Sequence, residues 1–222
     1  MRIHPQWFFA SDRAGGSASS QNSGTGSCTC GPDLTAYMTE FINAACDSQG
    51  ADLLQQYITS GNQDQYDAAL MNLGGLFGVG ESWNFSGYIV NFRTNPPSLW
   101  AQTSDCPSGD CPDCNLGITL CGYCFDYTTP GKIIYGYVGS YLGLSSDVLQ
   151  AIWAIVLTGE LITDTAPDAA VSAGIALHRA APSPPVDLSA VCPAISLYFQ
   201  SMDVLPDCIA CTTPWSGALP PS

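Results

Sequence analysis

Cations are what this sequence has least of. Lys and Arg together number 5 in 222 residues, against 19 Asp and Glu, for a net charge of −14, and His occurs only twice. A chain that binds a phosphate backbone without regard to sequence draws most of its attraction from Lys and Arg. The deficit therefore argues against a DNA-binding module and against a binder of anionic membranes. A nuclease with a local cationic pocket is not excluded, because catalysis needs only a few cations at the site. Long apolar runs are absent too. The nearest, Val148 to Ile162, is broken by Gln150, Thr158, Gly159 and Glu160, and reads as a buried helix rather than a membrane span. The opening decapeptide MRIHPQWFFA lacks the apolar core of a secretory leader. No GxSxG or HExxH signature occurs, and two histidines are too few for a typical His-based metal enzyme. The glycines at 74, 75, 78 and 80 lack the Lys-Ser/Thr that would make a phosphate loop.

Apolar residues and cysteine, by contrast, are plentiful. Hydrophobic residues make up 46% of the chain and charged residues 11%, a globular balance that supports one sizeable core. The 11 cysteines indicate a disulfide-stapled protein of an oxidising compartment, hence a secreted, extracellular one. An odd count leaves one thiol free, paired to another chain, or separated from its partner. Cys111-Pro-Asp-Cys114 and Cys121-Gly-Tyr-Cys124 are the spacing that could hold a tetrahedral metal. With seven further cysteines in the chain, disulfides are the expectation and no metal or other cofactor is assigned. The connectivity does not follow from spacing.

Three stretches divide the chain: a Gly/Ser-rich segment at 1–27, a globular domain at 28–205, and a Pro-rich tail at 206–222 held by cysteines. Helical spacing predicts helices after Asp33, over Ala51–Thr59, and from Asn62. It also predicts them over Ser146–Leu161, Pro167–Ala180 and Leu188–Met202. Glu81–Phe92 leans toward β structure. Gly117–Tyr127 and Lys132–Val138 read as an antiparallel strand pair across a turn at Thr128-Thr129-Pro130-Gly131. The expected class is mainly α, with a small antiparallel β element (α+β) and a disulfide-stapled helical domain.

Several residues could carry chemistry. Glu81 and Asp126 are candidate general bases, His178 an acid or base, and Lys132 and Arg179 partners for a phosphate. Each also has a plainer reading: Asp126 a turn acid, Lys132 a solvated turn residue, His178-Arg179 a basic pair facing the end of a helix dipole. The tyrosines at 123, 127, 135, 137 and 141 suit either base stacking or packing.

The run from Phe125 to Arg179 combines Tyr135-Gly136, Gly139, Gly143, Asp164, Pro167-Asp168 and Ala173-Gly174-Ile175. In that order these parts resemble the bacterial polymorphic toxin type 44 domain, a family that also occurs in fungal secreted proteins. The resemblance implies a toxin or effector with endoribonuclease activity and RNA as substrate. The family also carries a Trp-Asp-aromatic-Lys motif upstream. Here Trp83 and Phe85 match it, but Asn84 stands for the Asp and Ser86 for the Lys. An amide cannot serve as a general base, and Ser cannot replace a cation. Asn84-Phe85-Ser86 is also an N-glycosylation sequon. The alternative is a non-catalytic secreted scaffold used for binding or self-assembly, the odd thiol offering an intermolecular disulfide.

Overall fold

The computed structural model describes residues 29–77, 83, 85, 114, 117–158, 167–212 and 214, with backbone alone for 155–158. The expectations for Glu81, Asn84, Ser86, Asp164, the loop around Cys106 and Cys111, and both ends of the chain lie outside these residues.

The described chain is mainly helical with one two-stranded antiparallel sheet. Its elements are α1 (Thr35–Cys46), α2 (Gln49–Thr59), α3 (Gln63–Leu76), β1 (Gly117–Leu120) and β2 (Tyr123–Asp126). Then follow α4 (Thr129–Tyr141), α5 (Ser146–Thr158), α6 (Ala169–Ala180), α7 (Leu188–Tyr198) and a 3-10 turn, Phe199–Ser201. Local capping chemistry sets many boundaries. The side chains of Ser48, Asn62, Asp168 and Asp187 accept backbone N–H groups at the starts of α2, α3, α6 and α7. Asp33 acts one residue upstream of its expected place. Its Oδ1 accepts the Thr35 N–H at 2.8 Å, while Leu34 occupies the cap position.

The strand pair differs from the sequence expectation. Gly117–Tyr127 is not one strand but a complete hairpin, and Lys132–Val138 lies inside α4. The register Leu120↔Tyr123 leaves Cys121 and Gly122 as a two-residue turn, with φ of 52° and 80°. Such turns demand positive φ at both positions. Glycine adopts it freely, whereas Cys121 is held there by its disulfide to Cys192 and by its N–H donating to the Thr35 hydroxyl at 2.8 Å. The 128–131 stretch turns the chain into a helix instead. Asp126 Oδ1 accepts the Thr128 N–H, and Pro130 sits in the first turn of α4. A continuous apolar run fits a buried strand and a buried helix equally, and this one is buried on every side from Ile133 to Gly139.

Both edges of the hairpin are covered. Residues 31–34 bond along β1, and Asp203 and Leu205 bond along β2. Two disulfides fasten it, Cys30–Cys124 and Cys121–Cys192, and Cys114–Cys208 ties down the residues just before it. Around this staple, α1, α4, α6 and α7 share one core in which Met38, Ile42, Ile133, Tyr137, Val171 and Leu177 are fully enclosed. Helices α4 and α6 cross at Gly136 and Gly174, where the two backbones touch without intervening side chains. Trp83 and Phe85, the aromatic pair of the upstream motif, are core residues. Trp83 packs edge-on against Phe77, and Phe85 against Phe41. Among the described residues, no helix is long and apolar enough to cross a membrane.

Candidate functional site

Lys132 stands in the first turn of α4, and its side chain is only 13% exposed. It lies 3.3 Å from Asp168 Oδ2 and 3.1 Å from Asp203 Oδ2. Burial works against its charge, but the attraction of Asp168 and then Asp203 outweighs that cost and holds its pKa above the ordinary lysine value. Asp168 does three things at once. Oδ1 caps α6 by accepting the N–H groups of Ala170 and Val171, while Oδ2 takes the Trp153 indole N–H at 3.1 Å and faces Lys132. Gln150 of α5 closes the arrangement, accepting the Asp168 N–H at 3.0 Å and donating to its carbonyl at 3.2 Å. A small polar cleft of about 150 Å³, bordered by Lys132, Asp168, Ser201 and Asp203, opens at this point.

His178 and Arg179 lie at the other end of α6. At 1.5 Å rise per residue, Asp168 and His178 are about 15 Å apart along the helix axis. The imidazole meets the Tyr137 ring edge-on at 5.5 Å between centroids, and Tyr137 OH donates to the Ala181 carbonyl at 2.8 Å. Burial lowers the His178 pKa, partly opposed by its hydrogen bond to the Pro182 carbonyl. Arg179 is exposed.

The fold therefore gathers Lys132 with Asp168, which the sequence marked only as part of the toxin-like pattern, and with Asp203, which it did not single out, and sets His178 and Arg179 apart from it. Asp126 makes the local turn already described. Glu81 lies outside the described residues. Lys132 is not a solvated turn residue but the counter-ion of two aspartates. Asp203 had no local signal, since it is 71 residues away in sequence. Tyr135 and Tyr137 are enclosed, and burial pushes both phenols well above their usual range. They serve packing, and neither presents a face for stacking; of the five, Tyr123 alone is exposed, at 42%, with its ring against Phe199.

The cysteines act as staples. Cys114, Cys121 and Cys124 are each oxidised to a distant partner, which removes them as thiolate ligands, and Cys211 is disulfide-bonded as well. Among the described residues no His, Cys, Asp and Glu group is arranged to hold a metal ion. Cys46 is the free thiol among them. Burial and then the neighbouring Asp47 push its pKa up to about 12. A thiol so enclosed and so rarely ionised is a poor partner for exchange with another chain.

The His178 environment sets a pH dependence. In an unfolded chain its imidazole titrates near about 6.5. The fold lowers that value, so the folded state prefers the neutral ring. The contribution is complete above the unfolded pKa and is lost as pH falls toward the folded one. Between pH 7.5 and 5 the melting temperature of the native chain should fall more steeply than that of His178→Gln. Parallel curves would show that the ring carries no such linkage.

No family model, no curated protein and no solved structure matches this chain.

Proposed function

We propose that this protein is a secreted, disulfide-stapled binding scaffold of the toxin-44 type that does not cleave RNA. The observation that carries this reading is the separation just described. Lys132 has its charge matched by Asp168 and Asp203 at one end of α6, and His178 and Arg179 stand at the other. Cleavage by attack of a 2′-hydroxyl needs a base, an acid and a phosphate-binding cation within reach of one phosphodiester. The residues that carry the resemblance also have sufficient reasons in packing. Gly136 and Gly174 let two helices touch, Gly139 accommodates Leu149, Gly143 takes a φ of 97° after α4, and Asp168 caps α6. The disulfides support an oxidising compartment.

The reading is tested with oxidised protein and end-labelled single-stranded RNA from pH 4 to 8, with and without divalent cations. RNA should remain intact. Cleavage that disappears in His178→Ala would establish the ribonuclease instead, with the neutral, half-buried imidazole as its base.

A further inference from the structure

We propose that the solvent face of the α2–α3 hairpin is the binding surface of this scaffold, and that its partner is a basic polypeptide with an apolar centre. The inference rests on the binding reading above.

Helix α2 is seated on the core by Ala51, Leu54 and the partly buried Ile58. The Gln55 side chain fixes it to the end of α4 by donating to the Tyr141 carbonyl at 3.1 Å. Leu53 and Tyr57 take no part in that seating. They are one turn apart, so they lie together on the helix surface, 48% and 37% exposed. On α3, Met71 is 65% exposed. Exposed apolar side chains at i and i+4 have the spacing by which a helix face enters a partner's groove.

The charges around them select the partner. From Thr29 to Phe77 the chain has Glu40, Asp47, Asp52, Asp64 and Asp67 besides Asp33, and no Lys, Arg or His. Asp52 adjoins Leu53, and Asp47 and Asp64 are exposed near the two ends of α2. No cation within this segment offsets them. A second copy of the chain would bring the same acidic surface against itself, with −14 on each molecule. Anionic lipid and nucleic acid are repelled for the same reason. A Lys/Arg-rimmed apolar surface is complementary in both respects.

The test uses a synthetic amphipathic helical peptide of Leu and Lys, its Leu/Glu counterpart, and oxidised full-length protein at 150 mM salt. The Leu/Lys peptide should bind and the Leu/Glu peptide should not. A Leu53→Ser/Tyr57→Ser double variant should bind at least tenfold more weakly at unchanged melting temperature. Leu197→Ser, which alters a side chain 75% exposed on α7, should bind as the native chain does. Failure of the Leu/Lys peptide to bind would overturn the assignment. So would equal affinity of the double variant, or an equal loss in Leu197→Ser. Those results with RNA left intact reject the surface alone, whereas RNA cleavage rejects the scaffold reading beneath it.

Discussion

Gly174→Ala should destabilise this protein by about 3 kcal/mol, and Gly136→Ala by a similar amount, the cost of forcing a methyl group into a packed interior. A Cβ at Gly174 would overlap the Ile133 carbonyl oxygen and lie 2.8 Å from the Tyr137 nitrogen; one at Gly136 would overlap the Val171 carbonyl. The obstacles are main-chain atoms of a facing helix, so no rotamer change relieves them. Either α4 and α6 move apart, opening voids beside Val171 and Leu177, or their backbone hydrogen bonds distort. For a chain of this size the loss corresponds to a fall in melting temperature of roughly 6–12 °C. Gly75→Ala supplies the contrast. It too lies in a helix, but a Cβ there meets nothing within 4 Å. That substitution should stabilise by about 0.5–1 kcal/mol, through the entropy of the unfolded chain and helix propensity. Thermal melts of the three variants check all of this. An unchanged melting temperature in Gly174→Ala would mean that the helices do not cross where described.

Replacing Cys121 and Cys192 together by Ser should cost about 2–5 kcal/mol. The bond closes a loop over a sequence separation of 71, and its partners at separations of 94 restrain still longer stretches. Closing long loops in the unfolded ensemble is where a disulfide acts most strongly. Here a second effect adds to it. The bond holds Cys121 in the positive-φ turn that sets the register of the hairpin, and the hairpin joins the N-terminal stretch, α7 and the segment beyond it. Urea titration of the double Ser variant beside the native chain measures the loss. Because Cys30–Cys124, Cys114–Cys208 and the bridge of Cys211 remain, the variant should still fold cooperatively. A midpoint equal to that of the native chain would refute a stabilising role for this bridge.

Fold class was legible because it depends on local rules. Helical spacing locates α3, α6 and α7, and the structure then shows Asn62, Asp168 and Asp187 capping their starts, since a cap needs only the next three backbone N–H groups. Cysteine density indicated disulfides because the count reflects an oxidising compartment, whereas which cysteines pair depends on geometry. The stretch 132–138 was misread because its periodicity is silent: with every side apolar, strand and helix have the same pattern, and length and Pro130 decide. The hairpin was misplaced for a related reason, as Cys121 takes positive φ only because tertiary bonds hold it there.

The candidate site was legible only as a set of residue types. Sequence named Lys132, Asp126, His178 and Arg179 but not their neighbours, because Asp203 reaches Lys132 through the return of the chain after α7, and Trp153 reaches Asp168 from a different helix. By itself, then, the sequence determined a mainly helical, acidic, disulfide-bonded chain with the approximate starts of every helix but α4, all properties set within a few residues or by bulk composition. Tertiary structure alone decided which cysteines pair, that the glycine-rich run is a helix meeting another backbone, and that the one lysine is paired with two aspartates while the histidine stands a helix-length away. These depend on distances between residues far apart in the chain, which local preferences do not encode.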